Sequence, residues 1–424
     1  MEKEMNHQPL YGVCKTDILA LIIAIVSVIY GTTSCRRHTD YDPYHGVAPC
    51  AITAPIDSLI EEYFPGVDKG HNPGGIITVM RRDTIVYNRS FGYGRLDTPT
   101  LLSDSTTLNL SSISKLFTGV AIARLIEKGL ISPDDTISKF FPKFPKKYFG
   151  RITVAHMLSH TSGLPDLRPT DQSQWDEYLE KHKSSFGYDR DYRRFGSEQE
   201  HMRTFENLDT IAFEPGTHYD RYDMAYVLVA PLIETLTGCK FDDWMDENLF
   251  RPAGMTETFY LDPSTPEPLG EAHGYRISEG DAKSSTFRSP DSKWEEYDYD
   301  EVDYFNTKAD RGAWSSSRDI MRFFRALRNG KIISRESIEK IIQPVHATNQ
   351  PNVSYGLGIP VERKPYCSPK AYHMNVNGGF GAIDCWWPEG DVCYIILTNR
   401  NDWQPRQREL MFAIDRLIRE NGWD

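Results

Sequence analysis

The sequence lacks the short motifs of several common enzyme classes. It contains no GxxxxGK[ST] phosphate-binding loop, no CxxC pair and no HExxH pair of zinc ligands, so nothing in it implies a nucleotide, a metal ion or an organic cofactor. Positive charge is also scarce, because 48 Lys and Arg residues stand against 60 Asp and Glu residues, which gives a net charge of −12. Since neutralising phosphates requires clustered Lys and Arg, this balance argues against nucleic acid as a partner.

The N-terminal apolar run is short for a membrane span. Residues 18–30 form a 13-residue run, whereas a spanning helix needs roughly 20 residues and an export signal needs fewer. Small residues then lead to Cys35, as in bacterial lipoprotein signals, where the cysteine is lipidated. We expect residues 1–35 to be a signal or lipoprotein segment that places the protein in the bacterial cell envelope, lipid-anchored to the membrane at Cys35. An uncleaved anchor, a plain signal and a cytoplasmic protein are the alternatives.

The rest of the chain suits one large domain or two lobes that share a core. We expect a linker over residues 36–50 and the domain over residues 51–424. Near residues 167–213 the sequence becomes polar, charged and aromatic. This change indicates an inserted stretch of helices and loops within the domain.

Cysteines do not settle the redox environment of the domain. Five of the seven remain after Cys14 and Cys35 are set aside, and an odd number forbids complete pairing. Cys385 and Cys393 flank a hairpin signal that contains Pro388 and Gly390. They can either form a disulfide across two paired strands or pack as free thiols, which behave as small apolar side chains.

The order of strand and helix patterns predicts an α+β fold. Two strands are expected over residues 74–94 around a turn at Arg81–Asp83, and a hairpin is expected over residues 380–398. Helical patterns lie between these two strand regions, at residues 224–238 and 315–330, and at the C-terminus, at residues 405–420. The sequence thus predicts an antiparallel sheet built from both chain ends and flanked by helices, together with a helical lobe.

One serine and one lysine stand out within an apolar helical pattern. Over residues 108–125, LNLSSISKLFTGVAIARL, Lys115 follows Ser112 by three positions, which places both side chains on one face of a helix. An apolar environment favours the neutral form of a lysine, and a neutral amine beside a hydroxyl can activate it as a nucleophile. Free N–H groups at the helix start can stabilise an oxyanion. Since SxxK alone is common by chance, the pattern needs support from the rest of the chain.

Five blocks of the chain supply that support through a family resemblance. They read SSISKLFTGVAIARLIEKGLISPDD, ITVAHMLSHTSGLPD, FEPGTHYDRYDMAYVLVAPLIETLTG, SSSRDIMRFFRAL and GGFGAIDCWWPEGD. In this order they resemble the serine β-lactamase and penicillin-recognising superfamily, and within it the class C β-lactamase-like branch of D-alanyl-D-alanine carboxypeptidases, D-aminopeptidases and esterases. The resemblance covers roughly residues 55–400 and implies a β-lactamase/transpeptidase-like fold.

The second motif of that superfamily is Tyr-x-Asn after a PGT turn. Here the block reads Tyr222-Asp223-Met224, so the tyrosine matches and the asparagine does not. The resemblance implies that Tyr222 moves protons beside Ser112 and Lys115. Met224 cannot make the hydrogen bonds of the missing asparagine.

The third motif is a Lys- or His-x-Gly strand that lines the cleft. The best register places His373 in the first position and Asn375 where the superfamily has glycine, and a shifted register would give the glycine role to Gly378. By resemblance, His373 binds a substrate carboxylate or assists proton transfer, and the N–H of Val376 is an oxyanion donor. Asn375 would either crowd the cleft or add a polar contact.

These observations predict an exported serine hydrolase that works through an acyl-enzyme. Its substrate would be an ester or a D-amino-acid amide or peptide, with cell-wall fragments among the candidates, and the two altered motifs make efficient β-lactam hydrolysis a weaker expectation. The first alternative is a catalytically impaired relative that only binds a peptide or cell-wall fragment. The second is a membrane-tethered interaction protein that uses the insertion near residues 167–213.

Overall fold

Fifteen strands are present in the part of the chain that the computed structural model describes. The described residues are 42–165, 198–221, 223–260, 270–277, 294–296, 308–365, 367–377, 379–400, 402–403 and 406–424. Numbered in chain order, the strands are β1 Gly75–Arg81, β2 Thr84–Phe91, β3 Tyr93–Arg95, β4 Thr100–Leu101, β5 Leu108–Asn109, β6 Phe259–Tyr260, β7 Tyr275–Ile277, β8 Trp294–Glu296, β9 Ala313–Ser315, β10 His346–Ala347, β11 Val353–Tyr355, β12 Pro360–Glu362, β13 Lys370–Asn377, β14 Phe380–Trp386 and β15 Val392–Thr398.

Eight of these strands form the central antiparallel sheet, in the order β10-β11-β12-β13-β14-β15-β1-β2. The strand β15 from the C-terminal part pairs with β1 from the N-terminal part, with Gly75 opposite Thr398. The sheet is therefore built from both chain ends, which confirms the fold predicted from the sequence. Arg82 and Asp83 form the predicted turn with φ of 49° and 64°.

Helices cover both faces of this sheet. The α-helices span Thr53–Tyr63, Ser114–Glu127, Lys146–Phe149, Val154–Leu158, Glu198–Glu206, Val229–Thr237, Phe241–Met245, Arg251–Ala253, Lys308–Arg311, Ser317–Arg328, Arg335–Ile341 and Gln407–Glu420. Shorter 3₁₀ segments span Ser111–Ile113, Ile137–Lys139 and Asp223–Leu228, and a π-helical segment spans Asp246–Phe250. The predicted helices at residues 224–238, 315–330 and 405–420 are confirmed, although the first begins with a 3₁₀ segment.

Two apolar cores lie on opposite faces of the sheet. Strands β14 and β15 are buried along their whole length, so their alternating side chains feed both cores. One core joins the sheet to the first and last helices through residues such as Ile56, Ile396 and Leu410. The other is larger and contains the helix Ser114–Glu127 and most of the remaining helices.

The strand register decides the cysteine question that the sequence leaves open. Cys385 lies opposite Tyr394, while Cys393 lies opposite Trp386. Because neighbouring residues of a strand point to opposite faces, the two thiols enter different cores, and both are free and buried. They pack as small apolar side chains.

Residues Pro43–Asp424 form one compact unit. Part of the predicted linker belongs to it, because Tyr44 donates a 2.6 Å hydrogen bond to Asp57 Oδ2 and His45 Nε2 lies 2.8 Å from Ser90 Oγ. The signal segment and residues 167–197 of the predicted insertion lie outside the described residues, whereas residues 198–213, which begin with the helix Glu198–Glu206, are described. The domain boundaries stay a prediction.

The described residues contain no single long apolar helix and no cluster of metal ligands. No single helix there is both long and apolar enough to cross a membrane, and one sharply bent pair, Met224–Thr237 with Phe241–Ala253, passes by length and composition only. In the same residues, no three His, Cys, Asp or Glu side chains come together as a metal site.

Candidate active site

A tight turn places Ser112 at the start of the helix Ser114–Glu127. Asn109 Oδ1 accepts a hydrogen bond from the Ser111 N–H at 2.9 Å, and Ser114 Oγ accepts one from the Ala313 N–H at 3.1 Å. Ser111 adopts φ of 48°, a left-handed conformation that costs a non-glycine residue about 1 kcal/mol or more. The strained turn and its anchors fix Ser112 where the first N–H groups of the helix are not used by the helix itself.

Ser112 and Lys115 are in direct contact, as the three-residue spacing predicts. Lys115 Nζ lies 3.2 Å from Ser112 Oγ, and both residues are 2% exposed. The ring centroid of Tyr226 lies 5.3 Å from the same Nζ, so an aromatic face covers part of the amine. Together these contacts provide a buried hydroxyl with an amine within proton-transfer distance.

Close backbone packing holds this helix against the loop before β12. A Cβ on Gly119 would lie 2.5 Å from Leu357 O, and one on Gly358 would lie 2.9 Å from the Cα of Gly119. Only residues without side chains allow the two segments to approach this closely. The approach brings Gly358 O within reach of β13, the strand of the third predicted motif.

His373 on β13 is buried and engaged with the protein itself. Its Nδ1 lies 3.1 Å from Asp384 Oδ1, and its Nε2 lies 3.0 Å from Gly358 O. A neutral imidazole can donate to only one of these acceptors, while the charged form donates to both. Both ring nitrogens thus face protein acceptors, and the expected role of His373 in binding a substrate carboxylate or assisting proton transfer stays a prediction. The ring connects β13 to the loop that packs on the Lys115 helix.

Asn375 reaches the nucleophile. Its Nδ2 lies 2.8 Å from Ser112 Oγ, so the residue in the glycine position of the third motif makes a polar contact across the cleft. Of the two outcomes that the sequence leaves open, crowding or a new polar contact, the structure shows the polar contact. The amide occupies space directly at the serine oxygen.

Among the described residues, the edge of β13 beside Ser112 has no strand partner beyond Ala371, where its pairing with β12 ends. Met374 O accepts a 3.4 Å hydrogen bond from Arg221 at this edge. In an antiparallel strand the N–H and C=O of one residue point to the same side, and every second residue repeats that direction. Val376 therefore presents its N–H at the open edge, as an oxyanion donor must, and this role stays a prediction.

The predicted tyrosine, Tyr222, lies outside the described residues, so its role stays a prediction. Met224, two positions later, is buried in the core. Tyr226 is the phenol whose ring faces Lys115, but its hydroxyl donates a 2.7 Å hydrogen bond to Leu158 O. It shields the amine and does not reach it with its hydroxyl.

The cleft at Ser112 contains cations that the sequence reasoning missed. It is lined by Tyr219, Arg221, Gln350, Tyr355, Tyr372 and Arg408, among others. Tyr372 donates a 3.1 Å hydrogen bond to Gln350, and burial raises the pKa of the Tyr372 phenol, which keeps it a donor. In the described part of the chain, no carboxylate lies within ion-pair distance of Arg221 or Arg408. Arg221 precedes the predicted motif tyrosine directly, which is the one signal in the sequence that could have pointed to it.

The comparison with known proteins agrees with this geometry. The sequence profile of the beta-lactamase family matches residues 57–417. The chain belongs to the beta-lactamase family. Its family relatives include penicillin-binding protein 4* of Bacillus subtilis, 28% identical over 368 residues that cover 86% of this chain and 76% of that protein.

Solved structures share the fold of this family member. The octameric penicillin-binding protein homologue from Pyrococcus abyssi superposes with a TM-score of 0.68 at 20% identity, covering 88% of this chain and 78% of that one. The D-amino acid amidase from Ochrobactrum anthropi, complexed with L-phenylalanine, gives 0.65 at 21% identity, covering 86% and 99%. The fold predicted from the sequence is thereby confirmed, and the chain has the architecture of this serine hydrolase family.

Proposed function

We propose that the protein is an exported serine hydrolase that cleaves an ester or a D-amino-acid amide or peptide through an acyl-enzyme. The observation that carries this proposal is the 3.2 Å contact between Lys115 Nζ and Ser112 Oγ at the start of a helix. Nucleophile, base and helix N–H groups are brought together there beside the open edge of β13. This combination is what acyl transfer requires.

The reaction follows from these positions. Ser112 Oγ attacks the substrate carbonyl and forms an O–C bond while Lys115 takes the hydroxyl proton. The N–H groups of Ser112 and Val376 hold the oxyanion. The C–O or C–N bond then breaks, and the leaving group departs with a proton returned from Lys115 or Tyr222. Water attacks the acyl-enzyme in the same way, releasing the carboxylic acid and restoring Ser112.

The positive charges of the cleft favour an acidic substrate. Arg221 and Arg408 lie at its wall in a chain whose net charge is −12. A guanidinium pairs well with a carboxylate, and peptides with a free C-terminus supply one. The D-amino acid amidase from Ochrobactrum anthropi is also solved in complex with L-phenylalanine amide, which makes amino acid amides the other class to test. A matched pair of acid and amide substrates separates these two classes.

A binding-only protein is the second candidate, and one observation favours it. Asn375 Nδ2 donates a 2.8 Å hydrogen bond to Ser112 Oγ, and Ser112 is 2% exposed. A cleft closed in this way can hold a peptide or cell-wall fragment without reacting with it.

Intact-mass spectrometry of the full chain in detergent tests the proposal. The protein is incubated with a fluorophosphonate and, separately, with a penicillin, beside the Ser112→Ala variant. An adduct that is lost in the variant identifies Ser112 as an activated nucleophile. Labelling by fluorophosphonate alone indicates an esterase, while labelling by penicillin indicates a wall-peptide enzyme. If neither reagent gives an adduct, the catalytic proposal fails and the binding protein is the better description.

A further inference from the structure

Two side-chain nitrogen atoms contact the oxygen of Ser112. Asn375 Nδ2 lies 2.8 Å from it and Lys115 Nζ lies 3.2 Å from it. A hydroxyl has two lone pairs and one proton. When Lys115 takes the proton, the amide of Asn375 still holds one lone pair and the space in front of it. A carbonyl carbon cannot reach the oxygen along that direction until the amide moves.

The backbone of Asn375 is fixed while its side chain is lightly held. The residue pairs with Ala382 in the register of β13 and β14, and its carbonyl accepts a 3.4 Å hydrogen bond from Gln407. Within the described residues, the side-chain amide makes a single hydrogen bond, the one to Ser112. Rotation about the side chain therefore costs about one hydrogen bond and leaves the strand in place.

The amide does not leave the cleft when it rotates. Its Cβ stays on β13, at the edge along which Val376 presents its N–H. A glycine at this position would leave that space empty. A narrow acyl group fits beside the displaced amide, whereas a wide one meets it.

We propose that Asn375 covers Ser112 in the free enzyme and selects acyl groups by size. This inference rests on the proposed hydrolase function and adds a specificity-determining residue to it. Asn375 controls which substrates reach the oxygen of Ser112. It does not take part in the proton transfer by Lys115.

Two fluorophosphonates of different bulk test the selection. In each case Ser112 Oγ forms a bond to phosphorus, the P–F bond breaks, fluoride leaves and the hydroxyl proton passes to Lys115. The second-order rate of adduct formation is measured by intact mass for the full chain and for Asn375→Gly. We expect the bulky reagent to react about tenfold faster in the variant, and the small reagent to change by less than about threefold.

Three further variants separate size from other effects. Asn375→Ala opens the same space with normal backbone freedom, so it replaces the glycine variant if that one unfolds. Asn375→Asp keeps the size and loses the donor, and is expected to keep the preference for the small reagent. Asn421→Gly, just past the end of the last helix and not among the residues that line the cleft, is the matched exchange and is expected to change neither rate.

The outcomes distinguish failure of the cover by Asn375 from failure of the hydrolase function. If Ser112 is labelled in every protein but the ratio of the two rates is the same with and without Asn375, the cover is overturned and the hydrolase stands. If the wild type is unreactive and Asn375→Gly reacts, Asn375 blocks Ser112 completely, the wild-type protein is not a hydrolase, and selection of acyl groups by size is overturned. If no protein reacts, the hydrolase and the cover are both overturned.

Discussion

At the scale of single residues, the reactivity of Ser112 depends on a nearby group that can take its proton. Lys115→Met keeps the length and burial of the side chain and removes the amine. We expect the rate of labelling at Ser112 to fall by about 100-fold or more, since a positioned base contributes about 10²–10⁴-fold. The measurement is the second-order rate with the small fluorophosphonate.

The matched control is Lys128→Met, just beyond the end of the same helix. Lys128 is exposed and bonds to Asn248 Oδ1 at 2.9 Å, far from the cleft. Its loss is expected to leave the labelling rate unchanged. Equal rates in the Lys115 variant and the wild type would exclude Lys115 as the base.

The predictability of the site depends on distance along the chain. The contact between Ser112 and Lys115 follows from helix geometry, because three positions define one face. The contact of Asn375 with Ser112 joins residues 263 positions apart, so no local pattern contains it. The same holds for His373, whose two acceptors come from β14 and from the loop before β12. Spacing alone could nominate these residues but could not say which atoms they face.

At the scale of elements, a buried ion pair ties β13 to the last helix. Lys370 and Asp415 pair there, and Tyr394 donates a 2.8 Å hydrogen bond to the same carboxylate. Burial acts to lower the pKa of Lys370, but the charges around it, including that of Asp415, raise it overall. Lys370 is therefore charged in the folded protein at neutral pH.

Breaking this pair is expected to destabilise the fold. Lys370→Met leaves the Asp415 charge buried without its partner, which costs about 3–5 kcal/mol of unfolding free energy. The measurement is chemical denaturation at neutral pH. Lys340→Met removes an exposed pair with Glu336 and is expected to cost less than about 1 kcal/mol. Similar decreases in unfolding free energy in both variants would show that the buried pair stabilises the fold no more than the exposed pair.

We expect the short helix Val154–Leu158 to make the stability of the fold depend on pH. His156 Nδ1 accepts a 3.2 Å hydrogen bond from the Thr153 N–H in a capping box, and burial lowers the pKa of His156 below 6.5. The fold thus favours the neutral ring. Its contribution to stability is complete above pH 6.5 and is lost as the pH falls toward the lower pKa of the folded state.

His156→Gln is expected to flatten this dependence. The difference in melting temperature between pH 7.5 and pH 5.5 should be smaller than in the wild type, because glutamine does not titrate. His218→Gln, in an exposed segment without regular secondary structure, serves as the control and should keep the wild-type difference. An unchanged difference in the His156 variant would assign the pH dependence to other groups.

At the scale of the whole molecule, attachment to the membrane is expected to depend on one cysteine. Cys35→Ala in the full chain removes the predicted lipid site, so the protein should move from the membrane fraction to the soluble fraction of expressing bacteria. Immunoblotting of the fractions is the measurement, and Cys50→Ala, an exposed free thiol, is the control. A variant that stays with the membrane would favour the uncleaved anchor.

The overall architecture was predictable because its strand and helix patterns are strong and ordered. The hairpin of β14 and β15 and the final helix lie where the periodicity places them. The sequence did not decide the state of Cys385 and Cys393, because a shift of one residue in register changes the face of every side chain. The pairing of Cys385 with Tyr394 determines that the two thiols face different cores, and this pairing is visible only in the assembled sheet.

The central position of β1 and β15 also sets the order of events during synthesis. The Gly74 N–H donates a 2.8 Å hydrogen bond to Asn399 Oδ1, 325 positions later, and β1 has no inner neighbour until β15 has been made. Contacts so distant in sequence form late, and an unpaired strand edge invites association with other chains. The nascent chain therefore spends nearly all of its translation without its native sheet. Until its last strand emerges, the unpaired edge of β1 is exposed to association with other chains.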